Sequence, residues 1–89
     1  MPWIVEYDHL DGCAANVASR NYEPELDKDL TVKFRLYDGD DNLYYTGRMH
    51  PEDQTEDAAF APLDDYGTPN AGCAYMTVFN AKTNKWEVL

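Results

Sequence analysis

Eighty-nine residues, 44% of them hydrophobic and 13% aromatic, suffice for one domain around a single core and are too apolar for a disordered chain. Seventeen acidic against seven basic residues leave a net charge of −10, which disfavours direct nucleic-acid binding, since that interaction runs on neutralising phosphates with Lys and Arg. No apolar stretch approaches a membrane span, and Met1-Pro2-Trp3-Ile4-Val5-Glu6 lacks the basic start and long apolar middle of a signal peptide. The expectation is a soluble, cytoplasmic, compact domain over 1–89.

Trp3-Ile4-Val5-Glu6-Tyr7 is rich in aromatic and β-branched residues and predicts an N-terminal strand over 2–8. Ile4 would face one way and Trp3, Val5 and Tyr7 the other. Asp8-His9-Leu10-Asp11-Gly12 interrupts it. The Ala-rich stretch from Cys13 to Arg20 reads as a short helix with Asp11 as N-cap, or as an irregular loop. Asn21 to Asp29 is an acidic connector around Pro24.

The stretch over 31–49 reads as a β-hairpin. Val32, Phe34 and Leu36 alternate with Thr31, Lys33, Arg35 and Tyr37, so one face is buried and the other wet. Asp38-Gly39-Asp40-Asp41-Asn42 supplies turn residues, and Leu43 to Met49 forms the return strand. Pairing Leu36 with Leu43 sets Phe34 opposite Tyr45 and Val32 opposite Gly47. Thr31, Lys33, Arg35, Tyr44, Thr46 and Arg48 then share the polar face.

His50-Pro51-Glu52-Asp53 resembles a helix start running to Ala59 or Phe60, with Pro62 as the stop. Leu63 to Gly72 reads as a structured loop anchored by Leu63 and Tyr66. A second hairpin over 73–89 joins Cys73–Phe79 to Lys85–Leu89 through a turn at 80–84. Its register stays open, because Trp86 could share a face with Val78 or with Phe79. The sum is an α+β fold: about five antiparallel strands with one or two short helices.

Several chemistries fail at the spacing. Asp38, Asp40 and Asn42 match the first three positions of a calcium loop, but Leu43 stands where glycine is needed and Met49 where glutamate is needed. His9, Cys13, His50 and Cys73 lack the paired spacing of a zinc site. Ser19, the single serine, has no elbow motif around it. The cysteines are expected to be reduced and buried or half-buried. No metal, cofactor or catalytic group is therefore assigned.

Two functional readings follow. The first is a non-enzymatic binding module that meets a basic protein surface, or itself, through protein–protein contact. Its contact residues would be the acidic set Glu52, Asp53, Glu56, Asp57, Asp64 and Asp65, where Glu52 with Glu56 and Asp53 with Asp57 are like-charged pairs one helical turn apart. Arg35, Arg48 and Tyr44 would add a docking patch, and Trp3, Tyr37, Tyr44 and Tyr66 are the candidate exposed aromatics. One form of this reading is an anionic, nucleic-acid-mimicking inhibitor from a phage or mobile element. Another is a homodimer built on the C-terminal edge strand. The second reading is a small-ligand-binding protein or minor enzyme, with Tyr45, His50, Phe60, Tyr66, Tyr75 and Trp86 lining a pocket between sheet and helix.

Overall fold

The computed structural model describes residues 2–51 and 60–89. Among these, the chain forms one six-stranded antiparallel sheet in the order β2-β1-β4-β3-β5-β6. The strands are β1 (Trp3–Asp8), β2 (Cys13–Ala18), β3 (Val32–Tyr37), β4 (Leu43–Met49), β5 (Tyr75–Asn80) and β6 (Lys85–Val88). A 3-10 helix, Pro24–Asp29, precedes β3, and a helical stretch after Phe60 ends in the short α1 (Thr68–Ala71). The domain is thus mostly sheet. The helix predicted from Pro51 onward lies outside the described residues, as do Glu52, Asp53, Glu56 and Asp57.

The core lies on one face of the sheet. Trp3, Val5, Val32, Phe34, Leu36, Tyr45, Met49, Met76 and Val78 point into it, and Leu63 and Cys73 close it from the segment that crosses over the sheet. Alternation explains the set: each strand sends every second residue inward. Leu30 is also fully buried but stands apart from this cluster.

The central hairpin keeps the predicted core face of Val32, Phe34, Leu36, Tyr45 and Met49 but not the predicted pairs, nor the predicted faces of Leu43 and Tyr44. Leu36 lies opposite Tyr45, Phe34 opposite Gly47 and Val32 opposite Met49, a shift of two residues along β4. An even shift preserves the face of every side chain from Tyr45 to Met49. Its cause is local. Tyr37 pairs with Leu43, leaving Tyr44 as the extra residue of a β-bulge. The turn closes at Asp38, whose carboxylate accepts the N–H groups of Asp40 and Asn42 and the Asn42 side-chain amide. These bonds hold the Asp38 carboxyl down at about 2, the Asn42 side chain contributing most.

The segment Cys13–Arg20 is the main correction. Read as a short helix or a loop, it is instead the edge strand β2, paired with β1 from Asp8↔Cys13 to Ile4↔Ala18. Asp8 makes the turn: its carboxylate accepts the Leu10 and Asp11 N–H groups, and its carbonyl accepts that of Gly12. Helix propensity in the Ala-rich run is overridden by this hairpin closure and by the side chains of Ala15 and Val17 packing on the core. Cys13 is exposed on this strand, against the expectation of burial, while Cys73 is buried; both are free.

A second bulge lies at Glu6, where the register of β1 shifts between Val5 and Tyr7. It turns Tyr7 outward, opposite Thr46, so that Tyr7 does not share the face of Trp3 and Val5. Gly47 lies across from Val5 beside this bulge, under the Phe34 ring. A Cβ there would come within 2.1 Å of the Ile4 carbonyl oxygen and 2.5 Å of Phe34 Cζ, so only glycine fits.

Pro62 does not stop a helix. Its φ of −60° and ψ of −37° are helical, and the Asp64 N–H bonds back to the Phe60 carbonyl. The fixed φ of proline suits a first turn, where its missing N–H is not needed. The winding is wide over Leu63–Gly67: the Thr68 N–H reaches Leu63, and Pro69, with no N–H to give, follows. Leu63 and Gly67, four apart, face the sheet; Asp64 and Asp65 face solvent. Gly67 sits so close that a Cβ would be 3.0 Å from Leu36 Cδ1 and 3.2 Å from Cys73 Sγ.

Candidate functional site

A cleft of about 790 Å³ opens where β2 meets the crossing segment. Trp3 and Tyr66 lie at its inner end. Val17, Ala18 and Ser19 of β2 and its continuation form one wall, Ala61 and Pro69 the other, and Arg20, Asn21, Asp64 and Asp65 also line it. The floor is fixed. Trp3 is only 5% exposed and its ring lies 6.3 Å from that of Tyr66, which in turn meets Tyr45 edge-on at 4.9 Å. Burial pushes both phenols up, Tyr45 to about 12.

The β2 wall is held by reciprocal bonds at its end. The Ser19 N–H donates to the Trp3 carbonyl at 2.9 Å, and the Trp3 N–H donates to Ser19 Oγ at 3.0 Å. The Ser19 hydroxyl donates in turn to Asn21 Oδ1 at 2.7 Å. An amide oxygen is no general base, so this serine is a structural clip and not an activated nucleophile. The cleft thus joins the aromatic pair Trp3 and Tyr66, the end of β2, and the exposed charges of Arg20, Asp64 and Asp65.

β2 ends the sheet, and among the described residues no strand pairs with its outer edge. Because Ser19 turns its N–H inward to Trp3, alternation along the strand turns the N–H and C=O of Ala18 outward. Asn16, at φ 51°, breaks the regular edge further back.

The other predicted site residues fall elsewhere. Arg48 spans two elements: its guanidinium donates to the carbonyls of Asp27 and Leu30, each at 3.1 Å, and pairs with the Asp27 carboxylate at 2.9 Å and with Glu6 at 3.0 Å. Arg48 bonding, helped by the Tyr22 hydroxyl, holds the Asp27 carboxyl below its usual range. Arg35 lies over the Trp86 ring at 3.8 Å, and Trp86 meets Phe79 edge-on. This settles the C-terminal register: Phe79 pairs with Trp86 and shares its face. The bulge brings Tyr44 against the core cluster, and its phenol is raised chiefly by bonding to Asp38. Arg35, Arg48 and Tyr44 therefore do not form one patch.

Nor do the aromatic six line one cavity. Tyr45, Phe60 and Tyr66 pack on the core side. Tyr75 stacks on Tyr37 across the opposite face, its hydroxyl on the Asp41 carboxylate, and Trp86 lies under Arg35. His50 is half-buried just beyond β4 and has an interaction partner. Trp3, expected as an exposed aromatic, is buried because the edge strand and the crossing segment enclose it. Tyr37, Tyr44 and Tyr66 are half-buried.

Sequence reasoning reached Asp64, Asp65 and Tyr66 but missed Val17, Ala18 and Ser19, because the wall they form depends on β2 being a strand. The turn signal between Tyr7 and Cys13, an Asp leading to a Gly, is the cue that could have found it. Among the described residues no group of three or more His, Cys, Asp or Glu is placed to hold a metal ion, and no helix is long and apolar enough to cross a membrane. Comparison with protein-family models, with curated proteins and with solved structures finds no match to this chain.

Proposed function

We propose that this chain is a small, non-enzymatic binding module that engages a basic protein partner. The observation that carries the reading is the cleft: the Trp3–Tyr66 aromatic pair beside an edge strand whose outer side pairs with no strand among the described residues, with the exposed carboxylates of Asp64 and Asp65 also lining it. A net charge of −10 adds a long-range field that speeds encounter with a cationic surface. An anionic inhibitor seated in a groove that otherwise holds nucleic acid is one form of such a module. The second reading, a ligand pocket, is favoured less, because Tyr45 faces the core while Tyr75 and Trp86 lie on the other face of the sheet, and only Tyr66 of its six residues lines the cleft.

The test is capture from native lysate at low and high salt, with light-scattering mass on the purified protein alone. The expected result is a monomer that retains a basic partner at low salt and releases it at high salt. The double variant Asp64→Lys/Asp65→Lys should retain none. Undiminished capture by that variant would remove the cleft from the reading.

A further inference from the structure

We propose that the partner binds by strand addition: an extended segment pairs with the outer edge of β2 at Ala18 and lowers one apolar side chain into the cleft. This rests on the binding-module reading and specifies its mode. Three observations converge on it. The Ala18 N–H and C=O face outward from the last strand of the sheet, and unpaired edge groups are the template for β-augmentation. The cleft lies directly beside that edge, since Val17, Ala18 and Ser19 are its wall, and its floor is apolar and aromatic. The exposed carboxylates of Asp64 and Asp65 outnumber Arg20, the one cation lining the cleft, and so complement a cation on the guest.

Strand geometry then fixes the guest's pattern. Residues i and i+2 share a face and stand roughly 6.6 Å apart. An apolar residue over Trp3 and Tyr66 therefore places its i+2 or i−2 neighbour at the rim, where Asp64 and Asp65 favour Lys or Arg. The residue between them faces away and is unconstrained. The left-handed Asn16 breaks the ladder toward Cys13, so the recognised segment is short and lies against the Val17–Ser19 end. Backbone pairing supplies affinity, and the cleft with its Asp64 and Asp65 carboxylates supplies specificity.

The probe is the acetylated, amidated peptide Thr-Lys-Thr-Leu-Thr-Lys-Thr, titrated by fluorescence anisotropy against the full chain. A matching series carries one backbone N-methyl group, moved along the peptide. On a strand, N–H groups alternate between the two edges, so methylating the one N–H that meets the Ala18 C=O should weaken binding roughly tenfold, the loss of about one net hydrogen bond, while methylating either neighbour leaves binding unchanged. Asp64→Asn/Asp65→Asn should weaken the unmodified peptide several-fold at low salt, and amide exchange at Ala18 should slow on binding. Equal binding across the methylated series, or no binding at all, would overturn strand addition. Neither outcome touches the lysate capture, which reports on the binding-module reading by itself.

Discussion

Replacing Gly47 by alanine is the sharpest test of the fold. The new methyl carbon would lie 2.1 Å from the Ile4 carbonyl oxygen and 2.5 Å from Phe34 Cζ, far inside van der Waals contact. Phe34 is fully buried and can give way only by disturbing the core, while the Ile4 oxygen belongs to the backbone of the neighbouring strand. Overpacking a core costs about 1–3 kcal/mol, and a collision with backbone belongs at the upper end, so Gly47→Ala should destabilise by about 3 kcal/mol. For a domain of this size that lowers Tm by about 12–24 °C. Urea unfolding followed by the fluorescence of the buried Trp3 measures it, with circular dichroism against temperature as the second probe. Phe34→Leu in the Gly47→Ala background should recover part of the loss by removing the ring contact and leaving the backbone one. A Gly47→Ala midpoint within error of the parent would refute the close approach of β1, β3 and β4 at this point.

Four further outcomes are expected. Arg48→Lys should cost about 1–3 kcal/mol in urea unfolding, because an ammonium cannot reach the Asp27 and Leu30 carbonyls and two carboxylates at once. Thr77 is buried and its hydroxyl has no hydrogen-bond partner among the described residues, so Thr77→Val should raise stability by about 1 kcal/mol; a loss instead would mean that the hydroxyl is satisfied. Asp38 is held at about 2 in the fold, below the ordinary value near 4, so its contribution is complete above that ordinary value and is lost as pH falls from about 4 towards 2. The stability gap between the parent and Asp38→Ala should accordingly be flat around neutrality and close across that acid window. Under native conditions Ellman's reagent should titrate one thiol, Cys13, while Cys73, whose thiol burial pushes up to about 11, should react only on unfolding.

The parts of the fold legible in the sequence are those governed by alternation. Val32, Phe34, Leu36, Tyr45 and Met49 declare their face by period two, and no bulge within the described β3–β4 ladder changes that set. The exact pairs were not legible, because the count across the turn depends on whether Tyr44 pairs or bulges, a matter of how Asp38 bonds to Asn42. β2 was hidden for a different reason. Ala14, Ala15 and Ala18 carry no β-branching, and their strand geometry comes from the Asp8–Gly12 turn and from packing, which are tertiary facts. The site divides along the same line. Charge is a property of composition, so Asp64 and Asp65 could be found; concavity belongs to the edge of the assembled sheet, so the cleft could not.

The left-handed Asn16 on β2 has a consequence for the protein in bulk. Endless stacking of sheet on sheet needs a long, regular border at each end of the molecule. Here one border is broken within a few residues by Asn16, and the other, β6, is short and carries Lys85 and Glu87. Among the described residues, then, neither border of the sheet is a long, regular ribbon of the kind that end-to-end pairing of copies needs.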